Sequence, residues 1–332
     1  MTPEVRRILF IRTDRIGDVL MNLPAIRLLR QTFPKAWLTA LVDGSVAGLL
    51  KGHPDLDEVM AVDMARIRSN FSEKRRLIER VRAAAFEIAV VSNPDRFLHA
   101  LVFLAGIPHR LGYARKWGFL LTKRLPPGGR DGSRHEIDLN LELASLASDR
   151  AWDGTIALPA DPRAARDVEG LLAGLPAGKP VLAVHPGTSD PLKRWPEERF
   201  AAVCRSAAPE AAVVLVGGAE ETEVSRRVAA SAGVPLLDLT GRLSLAQLVA
   251  FFHHPSVRAL VSVDSGPVHV AWISGTPVVA LYPAEAAGSD PRRWGPRDPH
   301  SRVIRNPAAE ISADEVWTAA RQVLALGRSV AR

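Results

Sequence analysis

Four short polar stretches carry the residue types that could do chemistry, and each of them follows an apolar run of strand-like composition. They are "RTDRIGDV" (12–19), "HPGTSDPLKRWP" (185–196), "VDSGPVHVAWISGTP" (263–277) and "VGGAEETEV" (216–224). In open α/β sheets, ligands collect beyond the carboxyl ends of the strands. These stretches are therefore the candidate ligand-binding positions of the chain.

The first stretch places two carboxylates, Asp14 and Asp18, where a strand passes into a helix. Gly17 permits a tight turn, and Asp18 begins a run with helical spacing. Asp18 could cap that helix by accepting backbone N–H bonds, which would stabilise its charged form and make it a weaker base. A catalytic base would instead need apolar burial or contact with a substrate. The stretch by itself favours capping.

The second stretch supplies Thr188, Ser189, Lys193 and Arg194 before a helix that is expected to start at Pro196. Hydroxyl groups, loop N–H groups and a lysine are the usual ingredients of a phosphate site, and a helix N-terminus adds its dipole. The spacing is not that of a Walker loop. A plain polar connection with an exposed basic pair is the alternative, and the composition leaves both open.

The third and fourth stretches have the small residues that let a ligand approach the backbone. The third supplies Asp264, Ser265, Gly266 and His269. A histidine on a mostly apolar helix is more often a hydrogen-bonded core residue, although its position after a strand raises the functional alternative. In the fourth, Glu220 or Glu221 could bind sugar hydroxyls or only complement the helix dipole.

Strand-like runs that alternate with helical patterns must position these stretches. The runs are 7–11, 37–42, 58–62 and 87–91 in the first half, and 181–185, 212–218, 235–241, 259–266 and 277–283 in the second. This rhythm predicts an α/β fold of two Rossmann-like domains with mostly parallel sheets. A connection rich in Pro, Ala and Gly places the boundary near residue 175, giving domains 1–174 and 175–332. A final helix is predicted over 312–327 with Ser312 as its N-cap, and it could pack back on the first domain.

Composition limits the possible classes of protein. The chain has 332 residues, is 47% hydrophobic and 24% charged, and carries a net charge of +7, which predicts a folded, globular protein with an acidic partner. The single cysteine, Cys204, excludes an internal disulfide and reads as a structural thiol, consistent with a cytoplasmic location. No export signal is recognised, and the longest uncharged run, 265–284, is broken by "SGTP" and reads as core.

Three stretches taken together resemble, in order and spacing, the signatures of glycosyltransferase family 9, the ADP-heptose:lipopolysaccharide heptosyltransferases. They are "RILFIRTDRIGDVLMNLPAIRLLRQTFP", "HPGTSDPLKRWP" and "VDSGPVHVAWISGTPVVALYP". The resemblance implies a GT-B fold, with two Rossmann-like domains facing a central cleft, the acceptor bound mainly by the first and the nucleotide sugar by the second. It also implies inverting, metal-independent transfer of heptose from ADP-L-glycero-D-manno-heptose to a lipopolysaccharide inner-core acceptor, without a cofactor. Another donor or acceptor would need the same chemistry.

The resemblance also implies roles for individual residues. Asp18 matches the family's proposed catalytic base. Thr188, Ser189 and Lys193 match its diphosphate-binding loop, where Lys193 would offset the charge on departing ADP. The matches to its second nucleotide-sugar motif are Asp264, Ser265, Gly266 and His269. A donor-contacting acid matches Glu220 or Glu221, and Asp14 is expected at the rim or paired with Arg12 or Arg15, without a catalytic role.

A basic segment at 109–136 offers a use for the positive charge. It contains Arg110, Arg115, Lys116, Lys123, Arg124, Arg130 and Arg134, with Tyr113, Trp117 and Phe119 among them. As a loop, it could bind the phosphates and acidic sugars of a lipopolysaccharide acceptor, with peripheral contact to the cytoplasmic face of an anionic inner membrane. A solvated basic loop is the alternative.

Other classes of protein fit the sequence less well. "DLD" (55–57) looks like a metal-binding motif but lies before a strand of the acceptor domain, and "HEIDLNLE" (135–142) lacks the second histidine of a zinc site, so no metal is expected. No dinucleotide-binding glycine fingerprint occurs at either domain start. A non-catalytic basic protein that binds anionic lipid or nucleic acid remains an alternative, although Asp18, Lys193 and the 264–269 cluster argue against it.

Overall fold

The computed structural model describes residues 5–126, 133–286 and 288–326, which fall into two compact units, Met1–Ala157 and Leu158–Arg332. The first unit is built on a parallel six-stranded sheet with the order β3-β2-β1-β4-β5-β6. Its strands are β1 (Arg7–Ile11), β2 (Trp37–Asp43), β3 (Glu58–Val62), β4 (Ile88–Val91), β5 (His109–Tyr113) and β6 (Lys123–Leu125).

The helices of the first unit follow its strands. They are α1 (Ile16–Leu20), α2 (Leu23–Thr32), α3 (Met64–Ser69), α4 (Phe71–Ala83), α5 (Arg96–Leu104) and α6 (Glu136–Ser145), with 3-10 helices at Ala47–Leu49 and Gly118–Leu120. The helix predicted to begin at Asp18 is in fact two helices, and α1 begins at Ile16. Pro24 lies in the first turn of α2, where no intrahelical hydrogen bond is lost.

The second unit repeats this architecture. Its strands are β7 (Val181–His185), β8 (Ala212–Leu215), β9 (Leu237–Asp238), β10 (Val257–Val263), β11 (Val278–Leu281) and β12 (Arg302–Ile304). All pairings are parallel, in the order β12-β11-β10-β7-β8-β9. The nine predicted strands are present, while β5, β6 and β12 were not predicted. The first two of these lie in the basic segment that was expected to be a loop.

The helices of the second unit cover its sheet. They are α7 (Pro162–Leu172), α8 (Glu197–Ala207), α9 (Thr222–Ala232), α10 (Leu245–His253), α11 (Gly266–Ile273), α12 (Pro291–Trp294) and α13 (Ala313–Leu326), with 3-10 helices at Pro191–Lys193 and Ala219–Glu221. Ser312 caps α13 as predicted, since its Oγ accepts the Glu315 N–H at 3.1 Å. The buried face of α13 contributes to the core of the second unit, alongside α8.

The chain passes from the first unit to the second between Ala157 and Leu158, and not near residue 175 as the composition had suggested. Helix α7 belongs to the second unit because it buries Ala164, Val168 and Leu172 and packs against α10. The His253 Nε2 atom of α10 also lies 2.7 Å from the carbonyl oxygen of Leu158. Pro, Ala and Gly occur on both sides of α7, so composition could not decide which side is the boundary.

Strand order reverses once in each sheet, between β1 and β4 in the first unit and between β7 and β10 in the second. The loops that leave two such strands diverge to opposite faces, which opens a crevice at their carboxyl ends. Three of the four candidate stretches follow β1, β7 or β10. The topology therefore places them at the positions where open α/β sheets bind ligands.

Two further features concern the core. Cys204 is fully buried in α8, and burial raises the pKa of its thiol to about 12, which agrees with the predicted structural role. In the part of the chain that the structure describes, no helix combines the length and apolar character needed to cross a membrane.

Candidate functional site

A buried arginine organises the crevice of the first unit. Arg12 follows β1, and only 7% of its surface is exposed. Its guanidinium forms ion pairs with Asp18, with Asp14 at 3.2 Å and with Glu136 at 3.8 Å. It also donates to the carbonyl and hydroxyl oxygens of Ser92, each at 3.2 Å. One cation thus binds two carboxylates of the stretch that follows β1 and one carboxylate of α6.

Asp18 lies in the first turn of α1 but does not cap it. The N-cap position is Arg15, and no side chain caps this helix. The Asp18 carboxylate accepts instead from Arg12, while its backbone carbonyl accepts from the Asn22 side chain at 2.7 Å. The capping interpretation is therefore wrong, and the carboxylate is held in a fixed position, partly open to solvent, at the strand end.

Asp14 pairs with Arg12, one of the two arginines predicted for it. Burial raises the pKa of Asp14 above its ordinary value, Arg12 opposes this shift, and the neighbouring charge of Asp18 adds to it. Asp14 and Asp18 therefore share the same guanidinium.

A network of neutral polar groups supports Arg12 from β4. The Ser92 hydroxyl contacts the side-chain oxygens of Asn22 at 2.6 Å and Asn140 at 3.1 Å. Asn140 in turn donates to the carbonyl oxygen of Met21 at 3.1 Å. These residues are buried, so the strand end, α1 and α6 are fixed to one another around the arginine.

In the second unit, Lys193 and Asp264 form an ion pair between the ends of the loops that follow β7 and β10. Lys193 Nζ donates to Asp264 Oδ2 at 2.6 Å, and the Ser289 hydroxyl donates to the same oxygen at 2.5 Å. His269 Nε2 lies 3.9 Å from Asp264 Oδ1. Tyr282 is also buried here, and its pKa is raised mainly by burial and further by Asp264. The predicted Lys193, Asp264 and His269 are thus brought together.

A second cluster of the same unit is built around His185, the last residue of β7. His185 Nε2 lies 2.9 Å from Glu221 Oε2, and its Nδ1 lies 3.0 Å from the Ser262 hydroxyl and 3.2 Å from that of Ser265. Burial would raise the pKa of Glu221, but its bonds to His185 and to the Gly218 N–H hold that pKa below its ordinary value. Glu221 is therefore a carboxylate anchored at the strand ends.

Glu220 and Glu221 differ in their surroundings, because Glu220 is exposed while Glu221 lies close to Gly187 and Gly217. A Cβ atom on Gly187 would overlap the carboxylate of Glu221, and one on Gly217 would lie 2.6 Å from its Oε2. The glycine of "HPG" is thus needed for close approach and not for a special backbone angle.

The remaining residues that were predicted for the donor site frame these two clusters. The Thr188 hydroxyl accepts the Asp190 N–H at 3.2 Å, and Ser189 is exposed at the loop surface. Ser265 is the N-cap residue of α11, and Gly266 is its first residue. The side chain of Ser265 turns toward His185 instead of capping the helix, and Asp264, the partner of Lys193, comes directly before Ser265 in the chain.

The basic residues of the segment 109–136 lie in different surroundings. Arg110 donates to the carbonyl oxygens of Ile107 at 2.6 Å and Leu120 at 2.7 Å, so it serves the fold. Lys123 Nζ donates to Leu146 O at 3.0 Å, and Arg124 to Gly118 O at 3.4 Å. Arg115 is half-buried in the turn after β5. Arg134 pairs with Glu142 at 2.6 Å, whereas Arg130 lies outside the described residues.

Lys116 belongs instead to an open pocket of about 390 Å³ beside the carboxyl end of β4. Its lining is Arg68, Lys74, Asp95, Arg96, Phe97 and Lys116. Lys116 has a φ of 53°, a left-handed backbone that a lysine adopts only at some cost. Arg68 and Asp95 both influence the pKa of Asp14, which places the pocket next to the Arg12 cluster. The pocket is strongly basic.

The sequence motifs set aside as metal sites have structural roles. Asp55 is buried against Arg27 at 2.9 Å and Asp57 pairs with Arg30 at 2.5 Å, so "DLD" ties α2 to the start of β3. His135 is the N-cap of α6 and accepts the Ile137 N–H. Within residues 5–126, 133–286 and 288–326, no group of three or more His, Cys, Asp or Glu side chains is arranged to hold a metal ion.

Three polar residues of these clusters were not predicted from the sequence as functional residues. They are Arg12, His185 and Ser289. The signal for the first two was available, since Arg12 follows a largely buried strand and His185 ends a fully buried one. A charged side chain there has to find a partner. Ser289 had no such signal, because only the folding of the loop after β11 brings it to Asp264.

Comparisons with known proteins agree with this arrangement. Residues 74–320 match the model of glycosyltransferase family 9 (heptosyltransferase). The chain is 27% identical over 330 residues to lipopolysaccharide heptosyltransferase 2 of Escherichia coli strain K12, covering 90% of this chain and 88% of that one.

Solved structures show the same fold. A glycosyl transferase of family 9 from Veillonella parvula superposes with a TM-score of 0.88 at 22% identity, covering 98% of this chain and 99% of the other. E. coli heptosyltransferase WaaC with ADP-2-deoxy-2-fluoro heptose gives a TM-score of 0.74 at 21% identity, covering 94% and 98%. The two Rossmann-like units are therefore those of a GT-B fold, as the sequence resemblance implied.

Proposed function

The chain belongs to glycosyltransferase family 9, the heptosyltransferases, and on this premise we propose that it transfers heptose from ADP-L-glycero-D-manno-heptose to a lipopolysaccharide inner-core acceptor. The reaction would proceed with inversion and without a metal ion. The observation that carries the proposal is the pairing of Lys193 with Asp264 beside the N-terminus of α11. A lysine, small residues and a helix N-terminus are the groups that bind a diphosphate.

The proposed donor site uses both clusters of the second unit. Lys193 and the N–H groups of Ser265 and Gly266 at the start of α11 would contact the diphosphate, and Thr188 and Ser189 would supply hydroxyls from the loop that carries Lys193. Asp264 and Glu221 would accept hydrogen bonds from hydroxyl groups of the heptose or the ribose. A solved relative that contains an ADP-heptose analogue supports ADP as the nucleotide.

The proposed chemistry is a single displacement. The acceptor hydroxyl oxygen forms a bond to the anomeric carbon while the bond from that carbon to the β-phosphate oxygen breaks, which inverts the configuration. Asp18 takes the hydroxyl proton, and the electron pair of the broken bond remains on ADP. Lys193 stabilises the charge that develops on the departing diphosphate. Arg12 holds the Asp18 carboxylate in place before the acceptor arrives.

The basic pocket beside Asp14 suits the acceptor. Arg68, Lys74, Arg96 and Lys116 surround it, and their charge complements phosphates or sugar carboxylates. Replacing Lys116 with Ala should raise the KM for the acceptor and leave the KM for the donor unchanged. Lys51→Ala is the matched control, because Lys51 is an exposed lysine beside a different pocket of the same unit.

Calorimetric titration tests the donor assignment directly. ADP should bind without metal and more tightly than UDP, GDP or NAD, and added Mg²⁺ should not change its affinity. Lys193→Ala should weaken ADP binding by about ten- to a hundredfold, the loss of one charge-assisted contact, while Asp18→Ala should not. Lys179→Ala is the control, since Lys179 lies at the other end of β7 and donates to Ala208 O.

A transfer assay with ADP-heptose then tests the reaction. Mass spectrometry detects heptose on a lipopolysaccharide core acceptor, and the anomeric configuration of the product is read by NMR. Asp18→Asn should abolish transfer while ADP still binds. Absence of ADP binding, or equal binding of all four nucleotides, would contradict the proposed donor site.

A further inference from the structure

We infer that an aromatic and basic face of the first unit binds the surface of an anionic lipid bilayer. The face is formed by Phe103 and Leu104 at the end of α5 and by Trp117 and Phe119 in the segment that follows β5. We call it the aromatic face. It lies outside the clusters around Arg12, Lys193 and His185. Membrane binding by this face does not depend on which sugar the enzyme transfers.

Contacts within the unit place these four residues on neighbouring elements. The Arg110 guanidinium lies over the Phe103 ring, 5.4 Å from its centroid, and donates to Leu120 O at 2.7 Å. This joins the end of α5 to the 3-10 helix Gly118–Leu120, and the two elements pack together. His99 of α5 interacts with the backbone at Trp117. The segment therefore runs along α5 from Trp117 to Phe119.

The aromatic face exposes large apolar side chains to solvent. Phe119 is 70% exposed, and Phe103, Leu104 and Trp117 are between 43% and 49% exposed. Among the described residues, nine large apolar side chains are exposed, and four of them lie on this face. Scattered apolar residues need no explanation, but a local concentration of aromatics marks a surface that meets another apolar phase.

The charges around the face select a bilayer as its partner. Arg82 donates to Leu104 O at 2.7 Å, and exposed Lys123 and Arg124 lie on the edge strand β6 just beyond Phe119. Lysine is depleted in the centres of protein interfaces. Aromatic rings with lysine and arginine between them are instead typical of segments that lie in the headgroup layer of an anionic membrane.

The aromatic face is continuous with the basic pocket of the first unit. Lys116 lines that pocket together with Phe97 of α5, and Trp117 is the next residue of the chain. A bilayer that contacts Phe103, Trp117 and Phe119 would therefore lie at one side of the pocket. An acceptor anchored in the same bilayer would need to extend only a short way to reach it.

Vesicle co-sedimentation of the full chain tests the inference. The wild-type protein should bind vesicles of phosphatidylcholine with an equal part of phosphatidylglycerol at least about tenfold more tightly than phosphatidylcholine alone. Binding should weaken as salt increases, because the charges are exposed. Phe119→Ser should weaken it several-fold, and Phe103→Ser with Phe119→Ser by about tenfold. Lys123→Glu with Arg124→Glu should weaken it by a similar factor.

Trp37→Ser is the matched control. Trp37 is an exposed aromatic residue of the same unit, at 45%, but it lies on β2, three strands away from β5 in the sheet. Its replacement should change vesicle affinity by less than about twofold. Circular dichroism melting verifies that each variant is folded, and the single variant Phe119→Ser removes only an exposed ring.

Three results would overturn the inference. Equal binding to both vesicle types would show that charge does not select the membrane. Unchanged binding of the Phe103→Ser, Phe119→Ser double variant would show that another surface makes the contact. Light scattering that finds a wild-type dimer, dissociated by Phe119→Ser, would show that the face joins two copies of the chain. Because no nucleotide or acceptor is needed, failure here leaves the proposed sugar transfer untouched.

Discussion

Removing the buried cation of the first unit, with Arg12→Met, should strongly destabilise that unit. Arg12 contacts Asp14, Asp18 and Glu136 within 3.8 Å, and its side chain is 8% exposed. At an effective dielectric constant of about 20, each close pair amounts to about 5 kcal/mol before desolvation is subtracted. Loss of one partner of a buried pair typically costs about 3–5 kcal/mol. Asp14 and Asp18 are partly screened by solvent, so the lower figure, about 3 kcal/mol, is expected.

Hydrogen exchange measures this loss where it occurs. A loss of about 3 kcal/mol corresponds to a fall of roughly a hundredfold in the protection of the β1 and β4 amides. Amides of β7 and β10 belong to the other unit and serve as an internal control that should not change. Arg12→Lys keeps the charge but not the planar fork, so it should lose only about 1–2 kcal/mol.

A double variant isolates the electrostatic part of the effect. Glu136 is the most buried of the three carboxylates, with 7% of its side chain exposed, so it suffers most when the guanidinium is removed. Arg12→Met combined with Glu136→Gln should recover at least about 1 kcal/mol relative to Arg12→Met alone. A loss below about 1 kcal/mol for Arg12→Met, or no recovery in the double variant, would refute the role of Arg12 as a shared counterion.

Four further predictions concern the second unit. Glu221→Gln should weaken ADP-heptose binding by about tenfold in calorimetry and Glu220→Gln by less than about twofold; equal losses would contradict the assignment. Since folding lowers the pKa of Glu221 below its ordinary 4.5, its carboxylate stabilises the fold above that pH, and urea unfolding of wild type and Glu221→Gln should converge as pH falls through the folded pKa. Gly187→Ala should disturb Glu221 and weaken donor binding by about tenfold, whereas Gly174→Ala, which meets open space, should not. Iodoacetamide at about pH 8 should label Cys204 over a thousandfold more slowly in the folded than in the unfolded chain; comparable rates would contradict its burial.

Much of the architecture follows from local sequence patterns. The strands β4 and β11 are continuous apolar runs, and β1, β7 and β10 are mostly apolar. Such runs occur where both faces of a parallel sheet are covered by helices. The strands β5, β6 and β12 were missed because they lie toward sheet edges and contain charged residues. An edge strand needs only one partner and one covered face, so its composition resembles that of a loop.

Candidate residues were found where their position relative to a strand carried the information. Lys193, Asp264 and Asp18 all follow strands, and a ligand site beyond strand ends is a property of the fold class. The sequence could not show that Arg110 serves the fold, because a basic side chain can bind a ligand or backbone carbonyls. Only the folded chain reveals that its N–H groups are occupied by the carbonyl oxygens of Ile107 and Leu120.

By itself, the sequence determined that the chain forms two Rossmann-like units, which stretches follow their strands, and to which glycosyltransferase family it belongs. These properties depend on periodicity and spacing along the chain, which are local. The tertiary structure decided which partner each polar side chain has: Arg12 for Asp18, His185 for Glu221 and Ser289 for Asp264. Such pairs can join residues that lie far apart in the chain. Each pairing is needed because the polar groups are buried in the folded chain, and no single segment determines that burial.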